Sequence, residues 1–259
     1  MGWKFRAALL LAICPAIVAA ARLTDSAGQA FETYIKSVEA RLPRDGNPRT
    51  GVNRTLLAGG TWVEPVNGGS WPVSGGLLHH WRAAALVPGA SANDMLALLR
   101  DYNHLDRYYA PDVVYSRALT VTADGATMLM RFRKHRVVTV VLDAEFDTRS
   151  ALAGVGRGYS RSRSTHIWQI DQPGSVRERR RPEGDDDGFL WRLNSYWSFA
   201  ERPEGIVIEC EAVSLTRDVP AGLAWLVTPV IQTLPRSSIE FTLTATRNAL
   251  AANAIGRHQ

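Results

Sequence analysis

Cysteine is nearly absent from this sequence, and so are lysine and long apolar runs. Among 259 residues only Cys14 and Cys210 carry thiols, so no disulfide framework can stand in for a hydrophobic core. Lys4, Lys36 and Lys134 are the only lysines, and the other positive charges are arginines. No internal repeat, low-complexity tract or linker divides the chain, which excludes a solenoid and marks no second large domain. What is present is an ordinary globular composition, 46% hydrophobic and 21% charged, enough for one substantial core.

The formal net charge is +5, but much of it cancels locally: Arg177 to Arg181 is followed by Glu183 and Asp185 to Asp187. Adjacent blocks of opposite sign read as a solvated hairpin tip, and a nucleic-acid partner is not expected. The run Arg131-Phe132-Arg133-Lys134-His135-Arg136 surrounds a second tip. It either keeps the sheet edge soluble or meets anionic head groups, so membrane contact stays open.

The one apolar run lies at the start, where Lys4 and Arg6 precede Ala7 to Val18 and the alanines at 19, 20 and 21. Twelve residues are short for a bilayer span, so residues 1–21 read as a cleavable secretory signal, the alternative being an uncleaved anchor. Cleavage would begin the mature chain near Arg22, place it in the periplasm or outside the cell, and leave Cys210 as its only thiol. Ile13 before Cys14 argues against a lipid anchor.

Along the mature chain, Phe31, Tyr34, Ile35, Val38 and Leu42 recur at helical spacing, and the Pro43 to Pro48 segment stops that helix. Residues 49–75, rich in Gly, Asn and Pro with Trp62 and Trp71, read as an irregular strap. A strand follows from Leu77 to Val87, then two short helices, the first capped by Ser91 and the second ending before Pro111. Strand-like segments come next at Val113–Thr122, Ala126–Arg133, Arg136–Phe146, Gly158–Ile170, Phe189–Ala200 and Gly205–Thr216. The last segment, Ala221–Ala251, is helical, with Pro229 and Pro235 expected to kink or divide it. The fold class expected is α+β: a seven-stranded curved antiparallel sheet wrapped around a long C-terminal helix over residues 76–251. Residues 22–75 would add the N-terminal helix and strap, and residues 252–259 a tail.

This order resembles the helix-grip fold of the START-like (SRPBCC) superfamily, which includes lipid-transfer domains, polyketide cyclases and plant hydrophobic-ligand carriers. The resemblance is carried by HHWRAAALVPGASANDMLALLRDYNHLDRYYAPDVVYSRAL (His79–Leu119), by FLWRLNSYWSFAERPEGIVIECEAVSLTRDVPAG (Phe189–Gly222) and by the Trp225–Leu250 tail. It implies a cavity between sheet and helix and a hydrophobic small molecule or lipid as partner. It is architectural, and it brings no catalytic set with it.

Strand periodicity then nominates the inward side chains. Ser160, Ser162, Ser164, His166 and Trp168 share one face of their strand; Trp191, Ser195 and Trp197 share one face of the next; Cys210 points inward with Ile206 and Ile208, opposite Glu209 and Glu211. Tyr102 lies near the expected mouth. So many serines and alanines leave the face under-filled, with room for a ligand. His166 is either a ligand donor or acid/base, or a satisfied buried histidine. His79 and His80 face opposite sides of a strand and Asp185 to Gly188 lacks alternating ligands, so no metal is expected, and no cofactor. The lead function is an exported carrier or binder of a hydrophobic small molecule or lipid. A cyclase- or dehydratase-like enzyme using inward polar residues such as His166, and a structural or interaction protein with a filled core, are the alternatives.

Overall fold

The computed structural model describes residues 21–135, 139–218 and 224–256, the last stretch from its backbone alone as far as residue 232. In chain order the elements are β1 (Ala21–Arg22), α1 (Asp25–Ala40), α2 (Arg54–Leu57), β2 (Trp62–Val73), β3 (Gly76–Val87), α3 (Ala92–Arg100), α4 (Leu105–Tyr109), β4 (Val113–Val121), β5 (Gly125–His135), β6 (Thr139–Leu152), β7 (Arg157–Asp171), β8 (Arg179–Arg180), β9 (Asp185–Asp186), β10 (Arg192–Arg202), β11 (Gly205–Thr216) and α5 (Ala224–Gly256). The antiparallel main sheet runs β2-β3-β11-β10-β7-β6-β5-β4, with β8 on the side of β7, and α5 lies against it. This is the helix grip expected from the sequence.

Its sheet has nine strands rather than seven, and the largest difference is the strap. Residues 62–73 form the edge strand β2, paired with β3 from Trp62–Ala84 to Val73–Gly76. The ladder breaks between Pro65 and Ser70, where Asn67, Gly68 and Gly69 take φ of 50°, 80° and 84°. That bulge interrupts the two-residue alternation by which a strand is recognised. Gly69 is required there: a Cβ would stand 2.6 Å from the indole of Trp81.

Alternation along β3 and β11 divides their side chains between two layers. On the inner face Ala83, Ala85, Val87, Ile206, Ile208 and Cys210 join Met95, Leu98 and Tyr109 from α3 and α4 and Ile239, Leu243 and Leu250 from α5. The spacing of α5 follows from β3, the strand it approaches most closely. Ala83 and Ala85 keep side chains short along that line, so helix and strand backbones meet. Tyr109 then ties α4 to α5: Thr246 spends its proton on the Thr242 carbonyl (2.8 Å) and accepts the Tyr109 hydroxyl at 2.9 Å. α5 runs as one helix past Pro229 and Pro235, which do not divide it. The outer face is covered as well. Ala27, Phe31, Ile35 and Val38 of α1 pack on Leu78, Tyr196, Val213 and Leu215, burials of roughly 1.5–3 kcal/mol for each large side chain.

If the alanines of β3 set the helix spacing, Ala83→Leu overpacks that contact. It should cost about 1–3 kcal/mol in urea unfolding. An unchanged midpoint would show that α5 can move away freely.

Candidate functional site

The inner face is filled unevenly. Beneath α3 it closes on a layer of paired hydroxyls, Thr148 with Ser162 at 2.7 Å and Ser150 with Ser160 at 2.9 Å. Tyr102 is buried beside Ser150 in the same region, so three of the sequence-nominated residues come together here. Each serine in this layer already has a hydroxyl partner, and the layer is packed shut.

The neighbouring row is different. Cross-strand pairing aligns Trp81, Ala212, Ser195 and Ser162. Ala212 and Ser195 sit mid-strand on the face toward α5, yet both remain partly exposed, as do Leu193 and Ser214 beside them. Small side chains leave this row open in the middle of the sheet, and Trp81 and the neighbouring Val63 are likewise only partly buried. Next to the row Trp197 and Cys210 are shut in, at 7% and 2% exposure. Burial pushes the Cys210 thiol well above the ordinary cysteine range, so it is held neutral.

The inward histidine of the structure is His79, not His166. His79 shares the parity of Trp81 and Ala83 and is buried between Ser70 (2.8 Å) and Thr216 (2.9 Å). Thr216 donates its proton to the Arg217 carbonyl, so it accepts from His79 Nε2–H, and Ser70 donates to Nδ1. Burial lowers the His79 pKa to about 4.

Four nominated side chains need correction. The β6–β7 ladder shifts between Glu145 and Phe146, which pair with His166 and Ser164, so Thr165 is an extra residue. This bulge reverses parity on the rest of β7. Ile167 takes the inward place, and His166 and Trp168 turn to the outer side. There His166 stacks on Trp168 (5.1 Å between centroids, 13° between planes), bonds Glu183 at 2.9 Å, and Arg180 lies 4.2 Å over the indole. Ser164, at the bulge, accepts the Leu193 N–H at 2.9 Å, because the β7–β10 ladder has ended at Arg163–Asn194. Trp191 precedes β10, donates its Nε1–H to Asp186 at 3.1 Å, and packs toward α1.

Missed altogether was a buried polar clamp on the outer face. Glu209 and Glu211 are each 2% exposed. Glu211 accepts from His80 Nε2 at 2.6 Å, from Arg41 at 3.0 Å and from Arg49. Glu209 accepts from the Thr50 N–H at 2.8 Å and from its hydroxyl at 2.5 Å. Tyr34 accepts from Asn67 at 3.0 Å and donates to His80 Nδ1 at 2.7 Å. Tyr34, His80 and Glu211 are thus connected like a hydroxyl–base–carboxylate relay. The electrostatics oppose that chemistry: burial, then Arg41, Arg49 and Arg82, lower the His80 pKa to about 3, and a base so weak at neutral pH takes no proton from a phenol. The cluster fastens the N-terminal segment to the sheet.

No family model matches the chain, and no curated protein does. Solved structures of similar fold include a STAR-related lipid transfer protein from Xanthomonas axonopodis, at 18% identity over 73% of this chain and 98% of that one, TM-score 0.45. The Zhui aromatase/cyclase from Streptomyces is similar at 10% identity over 70% and 96%, TM-score 0.46. Human STARD10 is similar at 13% identity over 88% and 81%, TM-score 0.45. By its own topology the chain has the helix-grip fold, a long C-terminal helix laid on an antiparallel sheet. Likenesses of this size assign it no ligand and no reaction.

The two buried histidines give a pH signature. Both are neutral in the folded chain and have an ordinary value near 6.5 when unfolded, so their contribution is complete above pH 6.5. As the pH falls below that value the unfolded chain binds protons that the folded chain refuses, down to about 4 for His79 and about 3 for His80. Between pH 7.5 and 5.5 each should remove roughly 1.3 kcal/mol of stability. Urea midpoints at the two values test this, and a flat profile would mean that the histidines are not held neutral.

Proposed function

We propose that this chain is an exported binder or carrier of a hydrophobic small molecule or lipid, held over the open row between the sheet and α5. The observation that carries the reading is the partial exposure of Ser195 and Ala212, mid-strand residues on the face toward α5, beside a region beneath α3 that is packed shut. An apolar enclosure with few polar groups suits such a ligand. The enzyme alternative drew on inward polar residues such as His166, and that side chain lies on the other face of the sheet, so an acid/base would have to come from another residue. The filled-core alternative describes the region beneath α3 but not the row from Trp81 to Ser195. Export is supported by the sequence of residues 1–21; all but Ala21 lie outside the described residues.

Ser195→Leu should occupy the open row. Uptake of 1,6-diphenylhexatriene should fall at least fivefold while the melting temperature changes little. A stable variant with unchanged uptake, or a wild type that takes up no probe, would overturn the proposal. For export, N-terminal sequencing of material from the periplasm or medium should begin near Arg22; intact Met1 on membrane-bound protein would reject it.

A further inference from the structure

We infer a second ligand site outside the grip: the hollow between α4 and one flank of α5 takes a small carboxylate with an apolar body, whose charged end the Arg107 guanidinium receives. The hollow measures about 460 Å³, within the range of small-molecule sites. α4 contributes Arg107 and Tyr108 to its walls. From α5 come Phe241, Ala245, Ala249 and Ala252, with the amides of Asn248 and Asn253. Steps of three and four residues keep these on one flank, beside the face that Ile239, Leu243 and Leu250 turn to the core. A helix flank that meets water ordinarily carries charge, and this one carries none.

The two sides of the hollow are tied together before any ligand arrives. The Tyr108 hydroxyl donates to Asp101 at 2.7 Å, and its ring meets Tyr109 edge-on, 6.5 Å between centroids. Tyr109 in turn donates to Thr246 of α5. Walls already in place lower the ordering cost of binding.

Charge complementarity chooses the occupant. Arg107 is exposed and is the charged residue of the walls. It acts on Asp101 through charge alone, because both oxygens of that carboxylate are taken, one by His104 Nδ1 at 2.7 Å and one by Tyr108. Asp106 accepts the Ser116 hydroxyl at 3.4 Å. Asp112 pairs with Lys134, whose ammonium lies 5.6 Å over the Phe241 ring. Glu240 and Arg247 of α5 are outside the walls, and Arg247 donates to the Gly59 carbonyl. The Arg107 fork is therefore free to bind a carboxylate through two parallel hydrogen bonds. The Asn248 and Asn253 amides add neutral donors at the rim, and the ring and alanines accept the apolar body.

The site is independent of the row on the sheet, and calorimetric titration separates the two. The probes are 1-naphthaleneacetate and the uncharged 1-naphthaleneacetamide, on the purified full chain at pH 7.5 and low salt. Wild type should bind the carboxylate at least fivefold more tightly than the amide, and added salt should shrink that margin. Arg107→Gln should abolish the margin while leaving the amide within twofold. Ala252→Trp, at an exposed position, should fill the hollow and weaken both probes at least tenfold. Ser195→Leu, on the sheet, should weaken neither. A wild type that binds neither probe, or both equally, would overturn the inference. So would unchanged binding by both hollow variants; if Ser195→Leu then weakened the probes, they would occupy the row on the sheet, and the reading above would stand without this one. A wild type that self-associates and becomes monomeric with Ala252→Trp would make the hollow a protein interface and overturn the ligand site. The wild-type comparison and either hollow variant decide even if the other does not fold.

Discussion

The approach of α5 to β3 is the constraint on which the site depends. A helix can lie close to a strand only where the intervening side chains are short, and β3 supplies Ala83 and Ala85 for this. Further back on the same face the strand carries the larger His79 and Trp81, and the row from Trp81 to Ser195 stays partly exposed. The other residues of that row, Ala212 and Ser195, are small and lie on neighbouring strands at the same register.

A sheet with a helix on one side ordinarily leaves its other side to water. Here the outer face of β3 and β11 is covered by α1 and by the chain from Arg41 to Thr50. That cover is fixed by charge as well as by apolar contact. Two carboxylates sunk to 2% exposure would be costly alone, and they are sustained by Arg41, Arg49, Thr50 and His80 together. Removing one partner leaves a buried charge uncompensated, so the N-terminal segment and the sheet behave as one unit. The short β1–β9 pairing brings the chain at Ala21 and Arg22 into the same arrangement.

Much of this was legible because uninterrupted strands keep a strict two-residue period. On β11, which pairs without a shift along its length, the sequence separates Ile206, Ile208, Cys210 and Ala212 from Glu209 and Glu211, and the structure agrees. The same reasoning failed on β7, where one extra residue at Thr165 reverses the faces; nothing about a threonine among serines and arginines announces a bulge. It failed on β2 because a three-residue bulge disguises the alternation, and on Trp191 because the strand starts one residue later. The clamp did leave a signal: two glutamates alternate with apolar residues in a strand whose other face is core. Glutamates so placed need cations, and Arg41 and Arg49 lie in a segment otherwise read as loose strap. His79 and His80 were considered only as metal ligands, although two histidines on opposite faces of a buried strand already imply one pointing inward.

Cys210 lies at the middle of β11, an interior strand of the sheet, at 2% exposure and with its thiol held protonated by burial. A thiol of that kind is inert while the sheet and α5 stay together, since the thiolate is the reactive form and no reagent reaches it. It becomes ordinary only when the layers separate. In a chain without Cys14, alkylation at this one position is a clock for opening of the molecule. Its rate measures how often the grip is released, independently of which ligand is held.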